Sequence, residues 1–108
     1  MSMKSIIFAG SSLSDLRAFP AEARREAGHQ LDRVQRGLEP DDWKPIKTIG
    51  PGVREIRIKE ASGAFRVIYV TAGFEAVHVI HAFNKKTQKT SRHDLDIARE
   101  RLKELRRR

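Results

Sequence analysis

The chain has 108 residues, 39% of them hydrophobic, so we expect a single domain spanning residues 1–108 with one modest core. Lysine and arginine number 22 against 14 aspartate and glutamate residues, and the net charge of +8 favours a nucleic acid or an acidic protein as partner. The lack of cysteine excludes disulfides, thiolate metal sites and cysteine nucleophiles.

The first elements predicted in chain order are a strand and two helices. Residues 4–9 contain an apolar run too short for a signal-peptide core; they predict a strand, and we expect a cytoplasmic protein that binds no membrane. Ser12 precedes Asp15 by three positions, the spacing of a capping box, which predicts a short helix through Arg17. A longer helix should follow and end near Gly37. Its apolar stripe comprises Ala23, Ala27, Leu31, Val34 and Leu38.

The second half predicts a long connection, three strands and a final helix. Residues 39–52 form the connection, and three apolar side chains are expected to anchor it: Trp43, Ile46 and Ile49. Strands are predicted over residues 54–59, 64–71 and 74–83, with tight glycine turns between them that imply an antiparallel meander. Ser91 should cap the final helix. The stripe of that helix comprises Leu95, Ala98, Leu102 and Leu105.

This order of elements predicts an α+β fold. We expect a small antiparallel sheet with helices packed on one face and a C-terminal helix. Ile56 and Ile58 alternate with Glu55, Arg57 and Lys59, so the opposite sheet face should be free to carry charge.

The segment after the last predicted strand is strongly basic. Lys85, Lys86 and Lys89 occur within five residues with no acidic residue among them, so their mutual repulsion favours an anionic partner. Four neighbours could donate hydrogen bonds to phosphate or base edges: Asn84, Thr87, Gln88 and Thr90. The alternative is a solvated basic turn with no binding role.

Arg66 interrupts an otherwise apolar strand. Because an unpaired buried charge is very costly, this side chain must form an ion pair or face a wet cleft. A salt bridge with Glu55 is one interpretation, contact with a phosphate is another, and both can hold together. Tyr69 should face the opposite way and pack in the core.

The histidines give a weaker signal. His78 and His81 are three apart on a strand and should lie on opposite faces, which argues against a shared metal. His81 could act as a general acid or base, and a half-buried structural histidine is the alternative. His29 should be solvated, and His93 lies close to the basic segment. No nucleophile elbow, catalytic triad or glycine-rich phosphate loop is present, and we expect no cofactor or metal.

Four segments together carry a resemblance to a known family. They are Asp-Trp-Lys-Pro at 42–45, Val-Arg-Glu-Ile-Arg-Ile at 53–58, Phe-Arg-Val-Ile-Tyr at 65–69, and His-Ala-Phe-Asn-Lys-Lys-Thr-Gln-Lys-Thr at 81–90. In this order and spacing the chain resembles the phage-related HigB branch of the RelE/ParE toxin superfamily. The resemblance implies a bacterial toxin that enters the ribosomal A site and cuts mRNA. It also implies a cognate antitoxin of the HigA type with a helix-turn-helix domain.

The resemblance also implies roles for particular residues. Arg66 matches a strand arginine that stabilises the pentacovalent phosphorane, while Lys85 and Lys86 match a cluster that holds the phosphate and helps to activate the 2′-hydroxyl. No aromatic residue follows Phe83, where superfamily members often carry one, so His81 is our candidate for the general base. Further RNA contacts are expected from Arg57, Lys59, Thr87, Gln88, Lys89 and Arg92.

Two other functions compete with the ribonuclease hypothesis. A ParE-like inhibitor of DNA gyrase would have the same fold, and fold alone does not separate the two. The dense lysine cluster together with Arg66 favours the nuclease. A third possibility is a non-catalytic, basic RNA-binding phage accessory protein.

Overall fold

A five-stranded mixed sheet forms the centre of the structure, a computed structural model that describes residues 3–108. The elements in chain order are β1 (Ile6–Phe8), α1 (Ser12–Arg17), α2 (Ala21–Gln35), β2 (Trp43–Pro45), β3 (Val53–Glu60), β4 (Gly63–Val70), β5 (Val77–Lys85) and α3 (Arg92–Arg106). The strand order is β1-β5-β4-β3-β2, and every neighbouring pair is antiparallel except β1 with β5. The predicted α+β class and the meander of β3, β4 and β5 are confirmed.

The helices lie on both faces of the sheet. Leu31 of α2 belongs to the same buried cluster as Ile56 and Ile58. Leu102 of α3 packs with Ile68 and other residues whose side chains project from the opposite face. Our expectation that one face is free of helices is therefore wrong for the part beneath α3. The physical reason is that β4 is apolar on both faces, so each face requires cover from solvent.

A β-bulge in β5 changes which side chains share a face. Ile68 pairs with His81 and Tyr69 pairs with Val79, so Ile80 is an extra residue in β5. His78 and His81 therefore lie on the same face, and the prediction of opposite faces is wrong because it assumed a regular strand. Among the described residues, no group of three or more histidine, cysteine, aspartate or glutamate side chains could hold a metal ion.

The connection predicted over residues 39–52 contains the short strand β2. Trp43 pairs with Ile56 in an antiparallel ladder, and the guanidinium of Arg54 lies 4.0 Å from the tryptophan ring centroid. Trp43 is only half-buried, whereas Ile46 enters the α3-side core as expected. Three residues are too few for a period-two pattern to be recognised.

Several predicted boundaries shift by a few residues. Ser11 is the N-cap of α1, and the buried Ser12 donates a hydrogen bond to the Val79 carbonyl oxygen instead. Gly37 adopts a φ of +83° just after α2, which places Leu38 outside the helix and half in solvent. β5 begins at Val77, later than predicted. Across residues 3–108, no helix is long and apolar enough to cross a membrane.

Candidate functional site

Four cationic side chains from four strands meet on one sheet face. Arg57 of β3 lies directly opposite Arg66 of β4, and Lys44 of β2 lies opposite Glu55. Lys85 ends β5 on the same face, two residues beyond the partner of Arg66. We call Lys44, Arg57, Arg66 and Lys85 the basic cluster.

The carboxylate of Glu55 lies at the centre of the basic cluster and is fully buried. One of its oxygens is 3.7 Å from Nε of Arg66 and 3.9 Å from Nζ of Lys44. The other oxygen accepts a hydrogen bond of 2.8 Å from the Thr90 hydroxyl. The ion pair between Glu55 and Arg66 predicted from the sequence is therefore present, and the same carboxylate also contacts β2 and the segment after β5.

Arg66 is a buried cation. Only 5% of the Arg66 surface is exposed, and its Nη1 donates a hydrogen bond of 3.0 Å to the Phe65 carbonyl oxygen. Burial lowers the pKa of Arg66, and the negative charge of Glu55 opposes that shift. The side chain is not solvated, because Glu55 holds it against the sheet.

Lys85 is a partly exposed member of the basic cluster, and the charges of Arg66 and Glu55 both act on it. Burial is the largest cause that lowers its pKa, and the positive charge of Arg66 lowers it further. Glu55 acts in the opposite direction. Lys85 therefore releases its proton more readily than an ordinary lysine, while its charged form remains available to bind an anion.

The loop of residues 86–90 is exposed between two fixed ends. Lys86, Lys89 and the residues between them are open to solvent. At the far end of the loop, the Thr90 hydroxyl donates a hydrogen bond to Glu55. Ser91 then caps α3 as predicted, with its hydroxyl oxygen accepting from the Asp94 backbone amide at 3.1 Å. The loop thus presents its lysines from a defined base.

His81 lies apart from the basic cluster. Its Nε2 is 2.7 Å from a carboxylate oxygen of Asp94, its ring stacks on Phe83, and its side chain is 6% exposed. Burial is the main cause that lowers the pKa of His81, and Asp94 opposes the shift. Lys85 lies four positions after His81, which is roughly 13 Å along a strand. The structure does not bring this histidine to the cations.

The other predicted contact residues occupy the margins of the basic cluster. Arg57 is held by Asp42, whose carboxylate lies 2.9 Å from its Nη2. Lys59 is exposed two residues further along β3, and Arg92 and His93 are exposed in the first turn of α3. Arg57 is therefore brought to Arg66, whereas the remaining residues flank the site.

The sequence did not identify Lys44 as a site residue, nor the hydrogen bond from Thr90 to Glu55. Lys44 belongs to a strand of three residues inside an apparent connection, so no periodicity marked its face. Thr90 contacts a carboxylate 35 positions earlier, a pairing that depends on the register of three strands. The only sequence signal was the alternation that placed Glu55 among charged residues.

Comparisons with known proteins agree with this fold. The model of the family described as phage-derived protein Gp49-like matches residues 14–103. Among solved structures, a double arginine-to-alanine mutant of the Escherichia coli toxin RelE in the free state superposes with a TM-score of 0.64. That match covers 97% of this chain and 99% of the other, at 16% identity, and shows a common fold. No match was found among curated proteins.

Proposed function

The chain belongs to the phage-derived Gp49-like family, and on that premise we propose that it is the toxin of a type II toxin–antitoxin pair. Its proposed activity is that of a ribosome-dependent endoribonuclease of the HigB type, which cuts mRNA in the A site and stops translation. The observation that carries this proposal is the basic cluster, in which cations from four strands lie on one sheet face and two of them, Lys44 and Arg66, contact one buried carboxylate. The RelE-like fold supports it.

The proposed reaction is attack of a ribose 2′-oxygen on the adjacent phosphorus. The 2′-hydroxyl loses its proton to a base, and the new P–O bond forms as the bond to the 5′-oxygen breaks. The departing 5′-oxygen takes a proton from water, and the products are a 2′,3′-cyclic phosphate and a 5′-hydroxyl. Negative charge increases on the phosphoryl oxygens in the transition state, so fixed cations directed there lower the barrier. Lys85 and Lys86 would hold the phosphate, and Arg66 would add a positive charge within low-dielectric surroundings.

Two residues are candidates for taking the proton from the 2′-hydroxyl. Lys85 is in the basic cluster and its pKa is lowered. Histidine has an ordinary pKa that suits proton transfer near neutral pH. The His81 ring, however, is hydrogen-bonded to Asp94 and lies apart from the basic cluster. The variant His81→Gln separates them: a loss on the order of 100-fold in rate assigns the transfer to His81, and an unchanged rate assigns it to Lys85.

The proposed partners follow from the same site. The basic cluster and the loop of residues 86–90 would contact mRNA in the ribosomal A site, with further contacts from Arg57, Lys59 and Arg92. A cognate antitoxin of the HigA type, with a helix-turn-helix domain, would neutralise the toxin. The net charge of +8 suits both an RNA and an acidic antitoxin segment.

Mapping mRNA 5′ ends in cells that express the protein tests this function. We expect new ends inside translated reading frames within minutes of induction, and none with the variant Lys85→Gln/Lys86→Gln. Both lysines are at least partly exposed, so this variant should fold normally. A DNA-damage response without new mRNA ends would replace the proposal with gyrase inhibition.

A further inference from the structure

A second basic surface adjoins the basic cluster. A cleft of about 570 Å³ lies between β2 with the segment that follows it and the loop of residues 86–90. Its walls carry Lys44, Lys47 and Lys89, and Pro45 and Leu95 provide apolar surface. Among residues 3–108, no acidic side chain lines it. We call it the lysine cleft.

The lysine cleft is physically continuous with the candidate active site. Lys44 and Thr90 both line the cleft, and both contact the carboxylate of Glu55. The same carboxylate pairs with Arg66. A polyanion bound at the basic cluster would therefore lie beside the cleft, with Lys44 common to both sites.

We propose that the lysine cleft binds a nucleotide of single-stranded RNA next to the nucleotide that is cut, an inference that rests on the proposed function. Lys47 and Lys89 would contact the phosphate. The base would lie against Pro45 and Leu95, and the Gln88 amide could hydrogen-bond to its edge. Proteins that bind single strands without strong sequence preference combine a basic groove with side chains against which the bases pack, usually aromatic ones, and here Pro45 and Leu95 would supply that apolar contact.

The lining of the cleft favours RNA over an acidic protein segment. An acidic peptide would pair with the lysines but would gain little from the apolar walls. A nucleotide uses both, since each base offers an apolar face and each phosphate a charge. Direct continuity with the proposed phosphate site supports the same occupant.

Oligonucleotide length provides the test. Uncleavable single-stranded RNAs of one to six nucleotides, with 2′-O-methyl groups, are titrated against the whole protein by fluorescence anisotropy. We expect Kd to fall with each added nucleotide until the cleft is filled. The variant Lys47→Ala/Lys89→Ala should lose the gain from the added nucleotides and reduce the slope of log affinity against log salt by about 0.7, the value for the one phosphate that the two lysines contact.

The matched control is Lys4→Ala/Lys103→Ala, which removes two positive charges from exposed positions outside the cleft. It should keep the wild-type length dependence. The proposal is overturned if both double variants behave alike, or if the cleft variant loses affinity only for a poly-glutamate peptide. Length-dependent binding in a protein that cuts no mRNA would leave the cleft in place and remove the proposed function, whereas cleavage with an unchanged length dependence would remove the cleft alone.

Discussion

Removing the Glu55 carboxylate should strongly destabilise the fold. Glu55 is fully buried and the Arg66 side chain is 7% exposed, so Glu55→Ala leaves a buried cation without its partner. At the observed separation of 3.7 Å and an effective dielectric constant of about 20, the Coulomb attraction is about 4.5 kcal/mol. Breaking buried pairs typically costs about 3–5 kcal/mol, which agrees with that figure. We expect a loss of this size from a total stability of about 5–15 kcal/mol.

Urea unfolding, followed by the fluorescence of the single tryptophan, Trp43, measures this loss. With an m-value of about 1.5 kcal/mol/M, the midpoint should fall by about 2–3 M. Arg66→Met should also be destabilising, because it leaves the buried carboxylate with only the more distant, partly exposed Lys44 as a cationic partner. The double variant Glu55→Leu/Arg66→Met should recover much of the stability, since an apolar pair needs no charge compensation.

Additive losses in the two single variants would contradict this interpretation. If the double variant loses the sum of the two single losses, the two charges do not stabilise each other. A Glu55→Ala protein within about 1 kcal/mol of the wild type would likewise show that Arg66 does not depend on Glu55 in the fold.

Three further outcomes are expected from other parts of the site. Burial lowers the pKa of His81, so below the ordinary pKa of about 6.5 the unfolded chain binds more protons than the folded chain. The free energy of unfolding should therefore fall on acidification through about pH 6.5, by at most about 1.4 kcal/mol per pH unit. The fall should be smaller in His81→Gln. Equal pH slopes for the two proteins in urea titrations would refute this. Lys85→Ala and Lys86→Ala should each reduce the salt slope of RNA binding by about 0.7, and unchanged slopes would exclude the loop as the binding site. Thr90→Val should cost about 1.5–3 kcal/mol through the lost hydrogen bond to Glu55. Thr90→Ser keeps the hydroxyl and should retain nearly the wild-type stability. Equal losses of stability in Thr90→Val and Thr90→Ser would show that the hydrogen bond is unimportant.

Local patterns were sufficient to predict most elements of the fold. The intervals of three and four in α2 and α3 and the alternation in β3 reflect burial on one side, which each segment records in its own residues. The pairing of Glu55 with Arg66 was also predictable, because a cation within an apolar strand requires a partner.

The features that could not be predicted depend on contacts between distant segments. The bulge at Ile80 is a mismatch of register between β4 and β5, and no residue type in β5 marks it. The bond between His81 and Asp94 requires α3 to lie on one particular face of the sheet. The sequence did contain a sign that α3 covers the second face. Apart from Arg66, β4 is apolar on both faces, which is typical of a strand covered on both sides.

Cleavage of a defined mRNA on purified ribosomes with an empty A site tests the proposed ribonuclease most directly. We expect the wild-type protein to cut within the A-site codon. We expect Arg66→Ala, assayed at a temperature where Trp43 fluorescence shows it folded, to be slower by about 100–1000-fold, because it lacks a cation close to the developing charge. An mRNA that stays intact with the wild-type protein would contradict the proposed function, and a folded Arg66→Ala protein that cuts at the wild-type rate would contradict the role proposed for Arg66.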